Sequence, residues 1–158
     1  DLRASADIVV DTSRLSARQL AQRISNHFGT DATDNLSVAL MSFGFKNGLP
    51  VDADIVFDVR FLPNPYWVPE LRPKTGLSPD VASYVLSQEA AQEFQGCMLG
   101  IIDVAAPGYL TEGKRQVTVA IGCTGGKHRS TSMTEELASR LRARGYGVSV
   151  LHRDLGKE

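Results

Sequence analysis

The chain has 158 residues, enough for one domain with a sizeable core. Its formal net charge is −1, so its overall field attracts neither nucleic acid nor an anionic membrane, and any basic surface must be local. No run approaches the roughly 18 apolar residues of a membrane span, and no signal peptide is evident. Two cysteines, Cys97 and Cys123, do not make a disulfide framework, which predicts a cytoplasmic protein. Because the chain begins at Asp1 without a Met, we expect it to be part of a longer protein.

The first part of the chain is predicted to contain a strand, a helix and two further strands. Residues 6–11 have the apolar, β-branched composition of a short strand. Ser16 begins a capping box, and an apolar face at i, i+4 and i+8 continues that helix to Gly29. Residues 36–45 and 54–60 then predict a second and a third strand.

Residues 61–79 are predicted to be an irregular segment, which we call the proline-rich loop. Its five prolines and Gly76 oppose regular structure. Loops of this length inside compact domains are usually functional or disordered. We expect this loop to be packed and ordered by its apolar side chains, with Trp67 as an anchor rather than a stacking platform; the set is Phe61, Tyr66, Trp67 and Leu71.

The second half of the chain alternates helices and strands. Helices are predicted at 79–87 and 88–105, and Pro107 is expected to stop the second. The buried stripe of that second helix is predicted to be Phe94, Met98, Ile101, Ile102 and Ala105. A strand at 116–122, a helix from about Ser130 to Gly145 and a strand at 146–151 follow. Strands separated by helices predict an α/β fold, a layered sandwich with a mostly parallel sheet flanked by helices.

The connection between the strand at 116–122 and the next helix has the composition of an anion site. We call residues 123–130 the glycine loop. Gly125 and Gly126 let the backbone turn tightly, and the free amides of the helix N-terminus follow. Lys127 and Arg129 add positive charge, and an arginine binds phosphate in bidentate fashion. The predicted phosphate-binding residues are Cys123, Thr124, Gly125, Gly126, Lys127, His128, Arg129 and Ser130.

Polar residues also follow the other strands of the predicted sheet. Ligands of parallel sheets bind beyond the carboxyl ends of the strands, so these side chains are expected to line the same crevice. They are Lys46, Asp58, Arg60, His152 and Arg153. Simpler interpretations stay open, because Asp58 and Arg60 also have the spacing of an ordinary ion pair and the glycine loop could be a purely structural turn.

The glycine loop also fits C-x5-R-S/T, the phosphate loop of cysteine-dependent phosphatases. In such an enzyme Cys123 would attack phosphorus, Arg129 would hold the phosphate oxygens, and Asp58 or Glu70 would protonate the leaving group. Gly122 stands where those enzymes usually have a histidine. The alternative interpretation of Cys123 is an inert small hydrophobe.

Several longer motifs resemble the C-terminal domain of the RapZ/YvcJ family of bacterial P-loop nucleotide-binding proteins, in its actinobacterial form. They span 42–50, 57–65, 70–76 and 122–130, and residues 1–15 resemble the junction between the family's two domains. The resemblance implies that the N-terminal Walker domain, which binds ATP or GTP, is absent here, since nothing matches G-x-x-x-x-G-K-[ST]. It also implies part of a phosphofructokinase-type fold and self-association as a homodimer. It further implies a pocket near the loop from Asn64 to Trp67, with Asn64 and Tyr66 as candidate contacts.

The resemblance further implies a domain that senses amino-sugar phosphates or nucleotide sugars of cell-envelope synthesis. We therefore expect residues 1–158 to be one regulatory domain that binds a phosphorylated sugar or UDP-amino sugar, without a metal or cofactor. Phosphoester hydrolysis at the glycine loop is the alternative. RNA binding, the role of the family's RNase adaptor branch, is a further alternative that we do not expect, because the basic tail used for RNA is missing from the end of this sequence.

Overall fold

A computed structural model describes residues 35–157 together with the isolated positions 12, 13 and 20. Residues 35–157 belong to one compact unit. The strand predicted at 6–11 and, apart from Leu20, the helix predicted at 16–29 lie outside the described residues, as does most of the expected junction at 1–15.

The centre of this unit is a four-stranded sheet whose strands are all parallel. The strands are β1 (Ser37–Gly44), β2 (Ile55–Asp58), β3 (Gln116–Cys123) and β4 (Gly147–His152). They lie in the order β2-β3-β1-β4, and this confirms the α/β fold with a parallel sheet. In this register Gly44 at the end of β1 lies opposite Cys123 at the end of β3.

Three helices flank the sheet: α1 (Pro79–Leu86), α2 (Glu89–Thr111) and α3 (Arg129–Ala143). Helix α3 packs on β1, β3 and β4, and both α1 and α2 pack against α3. The predicted core face of α3 is correct, since Met133, Leu137 and Leu141 are fully buried. None of the helices within residues 35–157 combines the length and apolar character that crossing a bilayer requires.

Helix α2 is longer than the sequence predicted. It continues through Pro107 to its last helical residue, 111, so the expected stop at Pro107 is wrong. The proline forfeits one backbone hydrogen bond, but the buried stripe of α2 extends to Ala106 and keeps this turn packed. The helix ends in a Schellman motif, in which Gly113 has φ +82° and its amide donates to the carbonyl of Leu110 at 3.0 Å.

The buried face of α2 also differs from the prediction. Ile101 is 47% exposed, and Phe94 and Ala105 are only partly buried, whereas Met98 and Ile102 are buried as expected. At about 100° per residue, Ile101 lies beside the stripe rather than on it. The stripe that the helix buries consists of Ala91, Gln95, Met98, Leu99, Ile102 and Ala106.

The proline-rich loop contains a single 3-10 turn, Pro65–Trp67, capped by the Asn64 side chain, which accepts the Tyr66 amide at 3.2 Å. Leu62 and Leu71 anchor the loop in the core. The expectation that Trp67 is an anchor is wrong, because the turn directs it outward and it is 73% exposed. Tyr66 and Phe61 are also exposed, at 47% and 55%.

Candidate functional site

A cavity of about 620 Å³ opens beyond the carboxyl ends of β1 and β3. These strands are neighbours, but the chain leaves β1 towards β2 at one edge of the sheet and leaves β3 towards β4 at the other. Such a switch point is where open parallel sheets bind ligands. The wall consists of Lys46, Asn64, Tyr66, Trp67, Arg72, Pro73, Cys123, Thr124, Gly125, Lys127, His128 and Arg129.

The glycine loop reaches this position because it lies directly against the end of β1. A Cβ at Gly44 would lie 2.5 Å from the carbonyl carbon of Gly125, and a Cβ at Gly126 would lie 2.9 Å from the Gly44 nitrogen. Gly126 also has φ +83°, a conformation that side chains oppose. The Lys46 amide donates to the Thr124 carbonyl at 3.2 Å, and this hydrogen bond holds Lys46 beside the glycine loop, where it lines the cavity.

A buried carboxylate fixes the end of β1 from behind the cavity. Asp154 is 1% exposed and accepts the Gly44 amide at 2.8 Å and the Arg153 guanidinium at 2.7 Å. Burial alone would raise the pKa of Asp154, but these hydrogen bonds outweigh it and lower the pKa to about 2. The carboxylate is therefore ionised at neutral pH and holds the backbone on which the glycine loop rests.

Arg129 begins α3 and is only 5% exposed. Its guanidinium donates to the carbonyls of Arg60 at 2.7 Å and Leu62 at 3.0 Å, and to the Thr124 hydroxyl at 3.2 Å. Its Nε is buried and has no hydrogen-bond partner among the described residues. Burial lowers the pKa of Arg129, while Cys123 and Asp58 oppose that effect. Arg129 thus ties the proline-rich loop to the glycine loop and retains one unpaired donor group.

Cys123 is 3% exposed and contributes to the cavity wall. Its Sγ accepts the Gly126 amide at 3.3 Å and lies 3.1 Å from the Ser130 hydroxyl. Ser130 is fully buried by this contact, and neither Ser130 nor Gly126 lines the cavity. A histidine before Cys123 would force the rings of Phe43 and Phe45 to move, because a Cβ at Gly122 would lie 2.4 and 2.5 Å from them.

The residues of the cavity wall carry a net positive charge. Four of its wall residues carry a positive charge: Lys46, Arg72, Lys127 and Arg129. Within residues 35–157 its wall includes no carboxylate, and neither lysine forms an ion pair there. Like charges gathered without a counter-ion repel one another, so this arrangement favours an anionic ligand.

One side of the cavity is aromatic and rigidly built. The guanidinium of Arg72 lies over the Tyr66 ring, 4.7 Å from its centroid, and Arg72 Nε donates to the Tyr66 carbonyl at 2.8 Å. The rings of Tyr66 and Trp67 meet edge to face at 5.3 Å and 86°. Arg72 therefore fixes Tyr66, and Tyr66 supports Trp67.

Four residues expected at the crevice lie away from the cavity wall. Asp58 and Arg60 pair with each other at 2.7 Å, with both side chains about half exposed. His152 lies 2.7 Å from the Ser42 hydroxyl and 2.9 Å from Glu135. Arg153 binds Asp154. All four residues lie at strand ends as expected, but their side chains bind these partners and do not line the cavity.

Two wall residues, Arg72 and Pro73, were not assigned to the pocket from the sequence, and Trp67 was placed near it only through the resemblance. The available signal was the density of aromatic residues and prolines in the proline-rich loop, which is unusual for a solvated connection. That loop is held against α3 by Gly76, whose amide donates to the Lys127 carbonyl at 2.8 Å. Gly76 accepts the Ser132 hydroxyl in return, at 3.0 Å.

Comparison with known proteins identifies relatives over the whole chain. Residues 36–156 match the family model described as the RapZ C-terminal domain. A nucleotide-binding protein of Cutibacterium acnes is 65% identical over 158 residues, which is 100% of this chain and 54% of the relative. Nucleotide-binding proteins of a Nocardioides species and of Streptomyces coelicolor are 56% and 55% identical over all of this chain and 52% and 53% of their own length. The chain thus spans about half the length of these relatives.

Proposed function

The chain belongs to the RapZ C-terminal domain family, and on that premise we propose that its cavity binds a phosphate-bearing small molecule, either an amino-sugar phosphate or a UDP-amino sugar. The observation that carries this proposal is a wall with four cationic side chains and, within residues 35–157, no carboxylate. The volume of about 620 Å³ lies within the range of about 300–1,000 Å³ common for small-molecule sites.

The phosphate would bind at the glycine loop, before the N-terminus of α3. Amides at a helix N-terminus favour an anion through their orientation and through the helix dipole. Lys46 and Lys127 both line this cavity, and the unpaired Nε of Arg129 offers a further donor. Because most of the Arg129 guanidinium holds backbone carbonyls, the two lysines would supply most of the adaptable charge.

In the parent protein this domain would act as a cytoplasmic sensor that regulates cell-envelope precursor metabolism. The relatives are named nucleotide-binding proteins and are about twice as long as this chain, so we place nucleotide binding by the parent in an N-terminal half. Ligand binding in the C-terminal domain would then be coupled to that half, within a homodimer.

The test is calorimetric titration of this chain with inorganic phosphate, a hexosamine 6-phosphate and a UDP-amino sugar. Lys127→Met should weaken binding roughly tenfold to a hundredfold, since it removes one charge-assisted contact. Lys74→Met is the matched control, because Lys74 pairs with Asp80 and does not line the cavity. If Lys127→Met and Lys74→Met bind with the same affinity as the unmodified chain, the glycine loop is not the phosphate site.

Hydrolysis of a phosphoester is the second candidate function, favoured by the amide and hydroxyl that surround the Cys123 sulfur. Its weak point is the general acid. Neither Asp58 nor Glu70 lines the cavity. The hydrogen bond from Arg60 also lowers the pKa of Asp58, which is the wrong direction for a group that must hold a proton at neutral pH. We therefore propose binding rather than turnover.

A further inference from the structure

Trp67 is the one tryptophan of the chain, and it stands in an unusual place. It lines the cavity yet is 73% exposed, so one of the largest apolar side chains faces the site instead of the core. The apolar core around Leu62 and Leu71 anchors its loop without it. Small-molecule sites are lined mainly by apolar and aromatic side chains, so an exposed indole in a cavity wall is available for ligand contact.

Neighbouring groups orient this indole. The Pro65–Trp67 turn sets the backbone, the edge-to-face contact with Tyr66 supports the ring, and the guanidinium of Arg72 lies over the Tyr66 ring. Orienting an aromatic ring before a ligand arrives lowers the entropy lost on binding. A flat, preoriented ring beside a cationic anion site matches a ligand that joins phosphate to a planar ring.

We propose that Trp67 is a stacking platform for a nucleobase, so that the ligand is a nucleotide rather than a simple sugar phosphate. This inference rests on the proposed function, because the phosphate of the nucleotide must occupy the glycine loop. The cavity has room for both parts: its volume of about 620 Å³ equals that of about twenty liquid water molecules, far more than one phosphate fills. Sequence-tolerant stacking on an aromatic face needs no particular base edge.

The experiment compares ligands that differ in the base. Ribose 5-phosphate and uridine 5′-monophosphate share the sugar and the phosphate, and only the second has a base. Calorimetry with this chain should show roughly 5- to 100-fold tighter binding of the uridine nucleotide. Trp67→Leu should abolish this difference while leaving ribose 5-phosphate binding within about twofold, and Trp67→Phe should keep most of it.

Phe61→Leu is the matched control, since Phe61 is an exposed aromatic residue of the same loop that does not line the cavity. It should leave the difference between the two ligands unchanged. Equal affinity of the two ligands for the unmodified chain, or a difference that survives Trp67→Leu, would overturn the stacking inference while the proposed phosphate site stands. If neither ligand, nor inorganic phosphate nor a hexosamine phosphate, binds at all, the proposed function itself fails.

Discussion

Replacing Arg129 should destabilise the fold as well as any ligand complex. Its guanidinium donates to the carbonyls of Arg60 and Leu62 at 2.7 and 3.0 Å. Arg60 directly precedes the proline-rich loop, and Leu62 lies at its start. Hydrogen bonds to charged groups contribute about 1.5–3 kcal/mol each, so the two together amount to about 3–6 kcal/mol. Removing a buried charge recovers part of its desolvation cost.

We therefore expect Arg129→Ala to lower the free energy of unfolding by about 2–4 kcal/mol. At about 2–4 °C per kcal/mol for a chain of this size, the melting temperature should fall by roughly 5–15 °C. Urea denaturation followed by circular dichroism measures the first quantity and a thermal melt the second. Arg60→Ala is the control, because that arginine makes an exposed ion pair and should change stability far less.

Arg129→Lys keeps the charge but lacks the planar guanidinium that reaches two carbonyls and Thr124. Its free energy of unfolding should therefore lie between those of Arg129→Ala and the unmodified chain. It also gives a measurement if Arg129→Ala does not fold. A loss below about 1 kcal/mol in both Arg129 variants would refute the conclusion that this side chain ties the two loops together.

Four other outcomes are expected. The pKa of Asp154 falls from 3.8 to about 2 on folding, so at pH values above both pKa values its carboxylate should add about 2 kcal/mol to the free energy of unfolding. This contribution should disappear as the pH falls from 3.8 to 2. Urea titrations of Asp154→Asn should lack that pH dependence. Phosphatase assays should detect no turnover that depends on Cys123, and a rate lost in Cys123→Ser would favour the hydrolase instead. Mobility shifts with structured RNA should show only weak binding that salt abolishes, because Arg140 and Arg144 are paired with Glu136 and Asp103. A saturable complex at physiological salt would restore the RNA-adaptor hypothesis. Light scattering at tens of micromolar protein should give the mass of a dimer, and a monomer mass would contradict the resemblance-based expectation.

The sequence alone determined the class of the fold, because its signals are local. β-Branched runs predicted β1 and β3 to within a residue or two, and the apolar repeat of α3 identified its buried face. The glycine loop was identified as a strand-to-helix turn in the same way. Its long motifs also indicated the family to which the chain belongs.

Local signals failed where two effects competed. Pro107 is a helix breaker in isolation, but packing at Ala106 carried α2 past it until Gly113 ended the helix. Trp67 was expected to anchor its loop because indoles are apolar, yet Leu62 and Leu71 fill the core and leave the indole at the cavity. Neither result can be read from local sequence, since each depends on which side chains pack in the core of the folded chain.

Tertiary structure decided which of the polar residues at the strand ends line the cavity. Asp58, Arg60, His152 and Arg153 follow strands just as Lys46 does, and sequence position makes them equivalent. In the folded chain the first two neutralise each other, His152 lies beside Glu135, and Arg153 binds Asp154. Lys46 has no carboxylate partner within residues 35–157 and lines the cavity. Strand order and pairing between distant residues made that distinction, because they determine which charges meet a counter-ion and which line the cavity unpaired.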